Sequence, residues 1–268
     1  MALRTGLVDG PRPTSMPNPA LHNMLLLSDS ALPLGSFAFS SGLESFLAHK
    51  GLSGPQASST KLSSFEKFLE QSLENIASTS LPYVLNSFHH PSRLTELDND
   101  MDASTPCTVA RRASTTQGKA LVEVWTRALN GAANPTSLRT AEVTNFATQL
   151  KSNIPDTFGF TLQGHFAPLF GAVCAAMDLS EHETSYLFLL NHAKAVLSAA
   201  VRASVMGPYQ SQAVLASSRL QMTIGRCIEY HRKTFSGDPA HHDAVVTVPT
   251  MDLWMGRHEL LYSRIFNS

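Results

Sequence analysis

Apolar residues recur every three or four positions through most of this chain, and few stretches alternate with a period of two. A three/four spacing lays apolar side chains along one face of a helix, whereas a half-buried strand needs strict alternation. In "KLSSFEKFLEQSLENIAS" the spacing joins Phe65, Phe68, Leu69, Leu73, Ile76 and Ala77 into one stripe. Pro82 follows, and its missing N–H predicts a kink or the first turn of a new helix. The pattern returns over 111–129 through Ala120, Leu121, Val124 and Leu129, until "NGAANP" ends it. "LHNMLLL" (21–27) and "LRTAEVTNFATQLK" predict shorter helices. From His165 to Arg226 the chain reads as nearly continuous helix, broken at Gly207-Pro208. There Ser180 precedes Glu183 by three residues, the spacing of a capping box. "TMDLWMGRHELLYSRIFNS" predicts an amphipathic helix followed by a tail. Only "AVVTVP" reads as extended, and no internal repeat is found. The expectation is an all-α fold, a single helical-bundle domain of about nine or ten helices.

Pro, Gly and polar runs divide the chain into a flexible N-terminal arm (1–20), the helical domain (21–250) and a C-terminal helix and tail (251–268). Loops are expected at 52–60, at 233–246 and at the acidic 97–106, which reads as a disordered insertion. "SDSALPLGSFAFSSGLE" (28–44) is a different kind of break, because Pro33 and Gly35 punctuate an apolar run. It reads as a hinge feeding a helix capped by Ser41 and Glu44 in a second capping box and stopped at Gly51. Phe37 and Phe39 in that hinge need a cover.

Charged residues are 15% of the chain, against roughly 25% in an average soluble domain. Much of the surface must then be neutral or apolar, either as Ser/Thr/Ala-rich covering of one large core or as surface that is covered by other proteins. A net charge of −1 leaves no basic stripe for nucleic acid. Cys107, Cys174 and Cys227 are too scattered for a disulfide framework or a metal knuckle. The N-terminus lacks an apolar core of signal-peptide length. The most apolar region, 186–206, contains Lys194 and Arg202, each costing roughly 3 kcal/mol at a bilayer centre. A buried helix and cytoplasmic residence are the expectations, with no membrane partner.

Signals for catalysis fail in turn. "TTQGKA" lacks the first glycine and the Ser/Thr of a phosphate-binding loop and reads as a helix with a tolerated Gly118. There is neither a G-x-S-x-G elbow nor an H-E-x-x-H pair. His89-His90 and His241-His242-Asp243 are histidine clusters without a second ligand group at fixed spacing, so solvated loop histidines explain them. Asp29 and Glu44 could form an acid/base pair. Lys194, Ser198 and Arg202 fall at i, i+4 and i+8 and form a polar stripe. Such a stripe must meet water, an acid or another chain. It is therefore a solvent face, an inter-subunit seam or the lining of a polar passage. The aromatic, basic C-terminus docks on its own domain or on a partner, since termini otherwise tend to be polar and frayed.

Three segments carry a resemblance: "LLLSDSALPLGSFAFSSGLES", "LNHAKAVLSAAVRASVMGPYQSQ" and "MGRHELLYSRIFNS". Together, in this order, they resemble the urease accessory protein F (UreF) family over roughly residues 21–268. Longer loops than in compact bacterial members suggest a fungal-type protein. The tail ends "IFNS" where the family more often has "LFRS", and "GPYQSQ" departs from its commoner G-Q-T/S-x-x-Q. The resemblance implies a non-enzymatic, homodimeric all-α scaffold without catalytic residues, resident metal or tightly bound cofactor. It implies that the scaffold binds UreD (also called UreH), recruits the GTPase UreG and serves nickel insertion into apo-urease, with nickel passing transiently. Partner-binding positions are then Asp29, Pro33, Gly35, Phe37, Gly42 and Glu44 in the hinge. In the tail they are Arg257, His258, Glu259, Tyr262, Arg264 and Phe266, with Arg264 matching the family's arginine implicated in recruiting UreG. Lys194, Ser198, Arg202 and Gln210 would serve the dimer or a passage. The resemblance also implies that Phe37 and Phe39 are covered by a protein partner or by the chain's own C-terminal tail, rather than by a ligand. The alternative is a metallochaperone that holds nickel itself through His241, His242 and Asp243.

Overall fold

The computed structural model of the protein describes residues 19–52, 58–157, 159–234 and 244–267. The expected arm lies outside these residues except for its last two positions, and so do 53–57 and the His241-His242-Asp243 cluster. The helices are α1 (Pro19–Ser28), α2 (Leu43–His49), α3 (Ser58–Thr79), α4 (Leu81–His89), α5 (Leu94–Ser104) and α6 (Thr108–Val124). They continue as α7 (Leu138–Ser152), α8 (Phe166–Ala176), α9 (Glu181–Arg202), α10 (Pro208–Leu215), α11 (Ser218–Thr234) and α12 (Pro249–Gly256). No strand forms among the described residues, and "AVVTVP" reaches α3 through a backbone bond from the Val245 N–H to the Ser78 carbonyl. The helices outnumber the expected nine or ten partly because α5 occupies the acidic stretch read as a disordered insertion.

The core centres on α8, every residue of which from Ala167 to Ala176 is buried. A helix that is apolar all round must be enclosed, and α4, α6 and α7 enclose it. Two glycines permit the closest crossings. A methyl group on Gly171 would overlap the Val84 carbonyl of α4, and one on Gly118 would overlap the Gly164 carbonyl before α8. Gly118 is therefore required by backbone approach, not merely tolerated. Phe166, Phe170 and Phe188 stack between α8 and α9. Phe65, Phe68, Leu69 and Leu73 of α3 are buried as their spacing predicts, and Pro82 sits in the first turn of α4.

The capping box of α9 forms as expected. Ser180 Oγ accepts the Glu183 N–H at 3.2 Å, and Glu183 accepts the Ser180 N–H at 2.8 Å. The one expected at α2 does not. Ser41 and Gly42 both take positive φ, 53° and 84°, Gly42 becomes the N-cap with no side chain to offer, and Ser40 Oγ rather than Ser41 accepts the Glu44 N–H, at 3.4 Å. Gly42 also admits α12, because a Cβ there would lie 3.1 Å from Trp254 and Met255 atoms. At the other end of α2, Gly51 is left-handed and Leu52 donates back to the Leu47 carbonyl at 2.8 Å, a helix stop of the expected kind.

A buried polar network ties α5 to the start of α8. Asp98 is fully buried and accepts the backbone N–H groups of Gln163, Gly164 and His165 at 2.7, 3.1 and 2.6 Å. His165 places Nε2 3.0 Å from Asp102 and Nδ1 3.0 Å from Ser114 Oγ, which accepts the Phe166 N–H. Arg111 pairs with Asp102 on the outer side. A carboxylate can only accept, so Nε2 carries the proton and Nδ1 accepts from Ser114.

Candidate functional site

The hinge and the tail, more than 200 residues apart in sequence, meet in space. After α12 a single 3-10 turn (Arg257–Leu260) leads into a bent, non-helical tail that meets the hinge. Glu44, expected to cap its own helix, instead receives the tail. Its Oε1 accepts the Ile265 N–H at 2.7 Å and its Oε2 the Phe266 N–H at 3.2 Å. Asn267 donates its N–H to the Ala38 carbonyl of the hinge at 2.8 Å. The Phe266 carbonyl accepts from His258 Nε2 at 3.1 Å, and the Asn267 carbonyl accepts from Arg112 of α6 at 2.7 Å.

Side chains reinforce the clasp. Phe266 is 4% exposed and packs under the Arg202 guanidinium, 4.3 Å from its ring centre. Arg202 also donates to the Phe37 carbonyl. Glu259 bridges Arg112 at 2.6 Å and Arg264 at 2.5 Å. Trp254 meets Phe46 edge-on at 5.6 Å, with Lys50 5.9 Å from its ring centre. Burial lowers the pKa of His258, with the nearby Phe266 carbonyl and Glu44 opposing the shift.

The remaining candidates divide between structural work and exposure. His258 and Phe266 face their own chain, while Tyr262, Leu260 and Ile265 project into solvent. Phe39 is covered by the fold, whereas Phe37 is 65% exposed, so its own chain does not supply its cover. Gly35 is left-handed, Pro33 is exposed, and Asp29 accepts the Ala31 N–H at 2.9 Å. Asp29 and Glu44 are instead engaged separately, each with backbone amides. The α9 stripe is partly covered by the same chain: Lys194 donates to the Ser28 carbonyl and hydroxyl at 2.7 and 2.6 Å. Its pKa is lowered by burial, with Asp29 opposing. Arg202 closes the other end of the stripe, and Ser198 between them is exposed. Gln210 accepts the Gly207 N–H at 3.1 Å and closes the first turn of α10.

Among the described residues no group of three metal-ligating side chains forms, and no helix is long and apolar enough to cross a membrane. His89 lies at the end of α4 and pairs with Glu181 at 3.0 Å.

Sequence reasoning missed the polar anchor of Asp98 and His165 and the receptor role of Arg112. An acid inside an apolar 3/4 frame (Leu94, Leu97, Asp98, Met101) was the available sign for the first. Arg112 carried no local sign, because its partners are 147 and 155 residues away.

The histidines also predict a pH dependence. Enclosure among helices holds His192, bonded to Ser72 at 2.8 Å, down to about 4. His165 is lowered chiefly by burial and also by Arg111 and Lys119, against the pull of Asp98. The unfolded chain takes up these protons near pH 6.5, while the folded chain does not. Stability is therefore highest above that value and falls as the pH drops toward 4, by about 1 kcal/mol at pH 5.5 for His192 alone. The urea midpoint should fall between pH 7.5 and 5.5, and His192→Gln should flatten the fall. A midpoint that holds level would contradict the assignment.

Comparison with known proteins gives the arrangement its context. The UreF family pattern matches residues 60–219. A UreF-like urease accessory protein of Schizosaccharomyces pombe is 36% identical over 247 residues, covering 92% of this chain and 97% of that protein. Urease accessory protein F of Oryza sativa subsp. indica is 30% identical over 94% of this chain and 87% of its own length. Urease accessory protein 6 of Cryptococcus neoformans is 25% identical over 92% of this chain and 97% of its own. With the family pattern covering more than half its length and full-length relatives at this identity, the chain belongs to the UreF family of urease accessory proteins.

Proposed function

We propose that this chain is a non-enzymatic scaffold of urease maturation. With UreD (UreH) and the GTPase UreG it forms the complex that inserts nickel into apo-urease and couples GTP hydrolysis to metal transfer. In this reading it is a cytoplasmic homodimer, and nickel is cargo that passes without being held. The hinge and tail residues are the docking region for the accessory partners, with Arg264 serving recruitment of the GTPase. The α9 stripe of Lys194, Ser198 and Arg202, with Gln210, serves the dimer or a passage.

The composition of the clasp carries this reading. Its carboxylates and most of its bases are consumed within the chain, whereas Tyr262, Leu260, Ile265 and Phe37 face outward. Aromatic and arginine side chains at an exposed apolar face are the residue types that dominate protein interfaces. A reaction centre would instead leave polar groups converging on a cavity.

Co-expression with tagged UreD, UreG and urease subunits is the test. The chain should be captured with UreD, and UreG should join when both are present. Failure to capture UreD under conditions where the chain is folded would overturn the reading. Equilibrium dialysis with nickel addresses the metallochaperone alternative. Stoichiometric binding by the isolated chain, abolished by changing His241 and His242 to Ala, would favour it instead.

A further inference from the structure

A cavity of about 50 Å³ opens between the end of α6 and α7, lined by Thr126, Asn130, Thr144, Thr148 and Lys151 over a floor of buried Trp125 and Ala147. Two features of the backbone build it. After Val124 the chain makes a π turn over Trp125–Leu129, closed by the Asn130 N–H on the Trp125 carbonyl at 2.9 Å. No Pro or Gly between 125 and 130 forces that wider turn, and single π turns inside helices recur at functional sites. Across from it, Thr144, Ala147, Thr148 and Lys151 fall at i, i+3, i+4 and i+7 on one face of α7.

The hydrogen bonds fix the polarity of the walls. Each threonine hydroxyl donates its single hydrogen to a carbonyl one turn back: Thr126 to Val122 at 2.6 Å, Thr144 to Thr140 at 2.8 Å and Thr148 to Thr144 at 2.9 Å. Only lone pairs are left to face the cavity. Thr144 uses one on the Trp125 indole N–H at 3.3 Å. Lys151 Nζ lies 3.3 Å from Glu123 and 3.5 Å from Thr126, and its ammonium keeps a third hydrogen for a ligand. Asn130 can turn either end of its amide inward. The site thus asks for several donors and one acceptor. A cation would meet the Lys151 ammonium, and an anion would meet threonine lone pairs and Glu123, so the ligand is neutral. At roughly 10–15 Å³ for each water-sized centre the cavity takes about four heavy atoms, and the flat indole beneath favours a planar group.

We propose that this cavity binds a small, planar, neutral amide of the urea type, with its carbonyl on Lys151 and its NH2 groups on Thr126 and Thr148. The hydroxyl hydrogens all go to carbonyls, so none is activated as a nucleophile, and the site holds its ligand without converting it. Hinge and tail contribute no residue to it, so it holds or fails independently of the scaffold role.

Proton–nitrogen NMR of the isolated full-length chain reads the site through the Trp125 indole N–H, with Trp254, the second tryptophan, as internal reference. Urea is titrated at sub-molar concentration, below its unfolding range. The Trp125 signal should follow a saturating curve with half-saturation on the order of 10 mM, weak as expected for so few atoms, while Trp254 drifts linearly. Acetamide, with one NH2, should bind at least about threefold more weakly, the smaller effect of one exposed hydrogen bond. Guanidinium has the shape of urea but a charge and no acceptor, and should not saturate. Lys151→Met and Thr148→Val, both at exposed positions, should each weaken urea about fivefold, the size of one lost hydrogen bond. Thr148→Ser, which keeps the hydroxyl, should not. A Trp125 shift as linear as that of Trp254 would overturn the proposal. So would saturation by guanidinium as tight as by urea, or a urea curve unchanged in both Lys151→Met and Thr148→Val.

Discussion

Asp98→Ala is expected to cost about 3–5 kcal/mol, the range seen when one partner of a buried charged network is removed. The expectation follows from counting donors. Asp98 has no exposure, and three consecutive backbone N–H groups at Gln163, Gly164 and His165 converge on it. Each donor left buried without an acceptor costs about 1–3 kcal/mol. The same three residues lead into α8, whose N-terminal dipole adds to the attraction for a negative charge. Nor can the segment shift to find other acceptors, because the Gly164 carbonyl is pressed against Gly118 of α6. Asp98→Asn keeps the volume but turns an NH2 toward at least one of the donors, so it should recover only part of the loss. Thermal melts and urea titration of both variants check this. A fall in melting temperature of about 10 °C for the alanine variant corresponds to the middle of the expected range. A change within about 0.5 kcal/mol, as for an ordinary surface substitution, would show that the anchor is dispensable.

Asp98 also marks where the sequence stops being readable. The stripes of α3, α6 and α9 were legible because burial of an apolar face leaves a local, periodic trace. The Ser180–Glu183 cap and the Gly51 stop were legible for the same reason, since every group involved lies within a few residues. "LDNDMD" looked like solvated loop because the compensation for burying Asp98 comes from amides 65 to 67 residues away. Gly118 looked like a merely tolerated residue of its helix, yet what requires it, as at Gly171, is another backbone crossing at that height. The Ser41–Glu44 pattern shows the same limit within a correct motif. Its spacing satisfied the capping rule, but Gly42 sits under Trp254 in a left-handed conformation, and the carboxylate left over was taken by the tail. Hinge and tail could each be recognised as segments of consequence. That the tail meets the hinge was one of two readings, the other being a protein partner, but the means of joining was not legible, because it is a carboxylate on two main-chain amides, which leaves no side-chain signature at the tail.

Phe266→Ala is expected to release the tail while leaving the helical body folded. Truncating a buried Phe costs about 3–5 kcal/mol in a well-packed core, and here the ring also gives up the Arg202 guanidinium above it. What would remain are hydrogen bonds near the surface from Glu44, Ala38, Arg112 and His258, each worth about 1 kcal/mol net. Their sum is comparable with the backbone entropy of holding the last residues still, about 1–2 kcal/mol per residue. The closed tail therefore loses its advantage once the ring is gone. Because the tail ends the described chain, this opening is local, and the global transition should move much less than the clasp does. Trypsin reads the difference, since Arg257 precedes the segment that would be freed and Arg264 lies within it. Cleavage at both should accelerate well before the body is cut, and capture of UreD should fall with it. Phe266→Leu, which keeps apolar volume but loses the cation–π contact worth about 1 kcal/mol, should lie between. A tail that stays protected in the alanine variant would mean that the amide bonds to Glu44 suffice to hold it. The aromatic ring would then be a passenger of the clasp rather than its anchor.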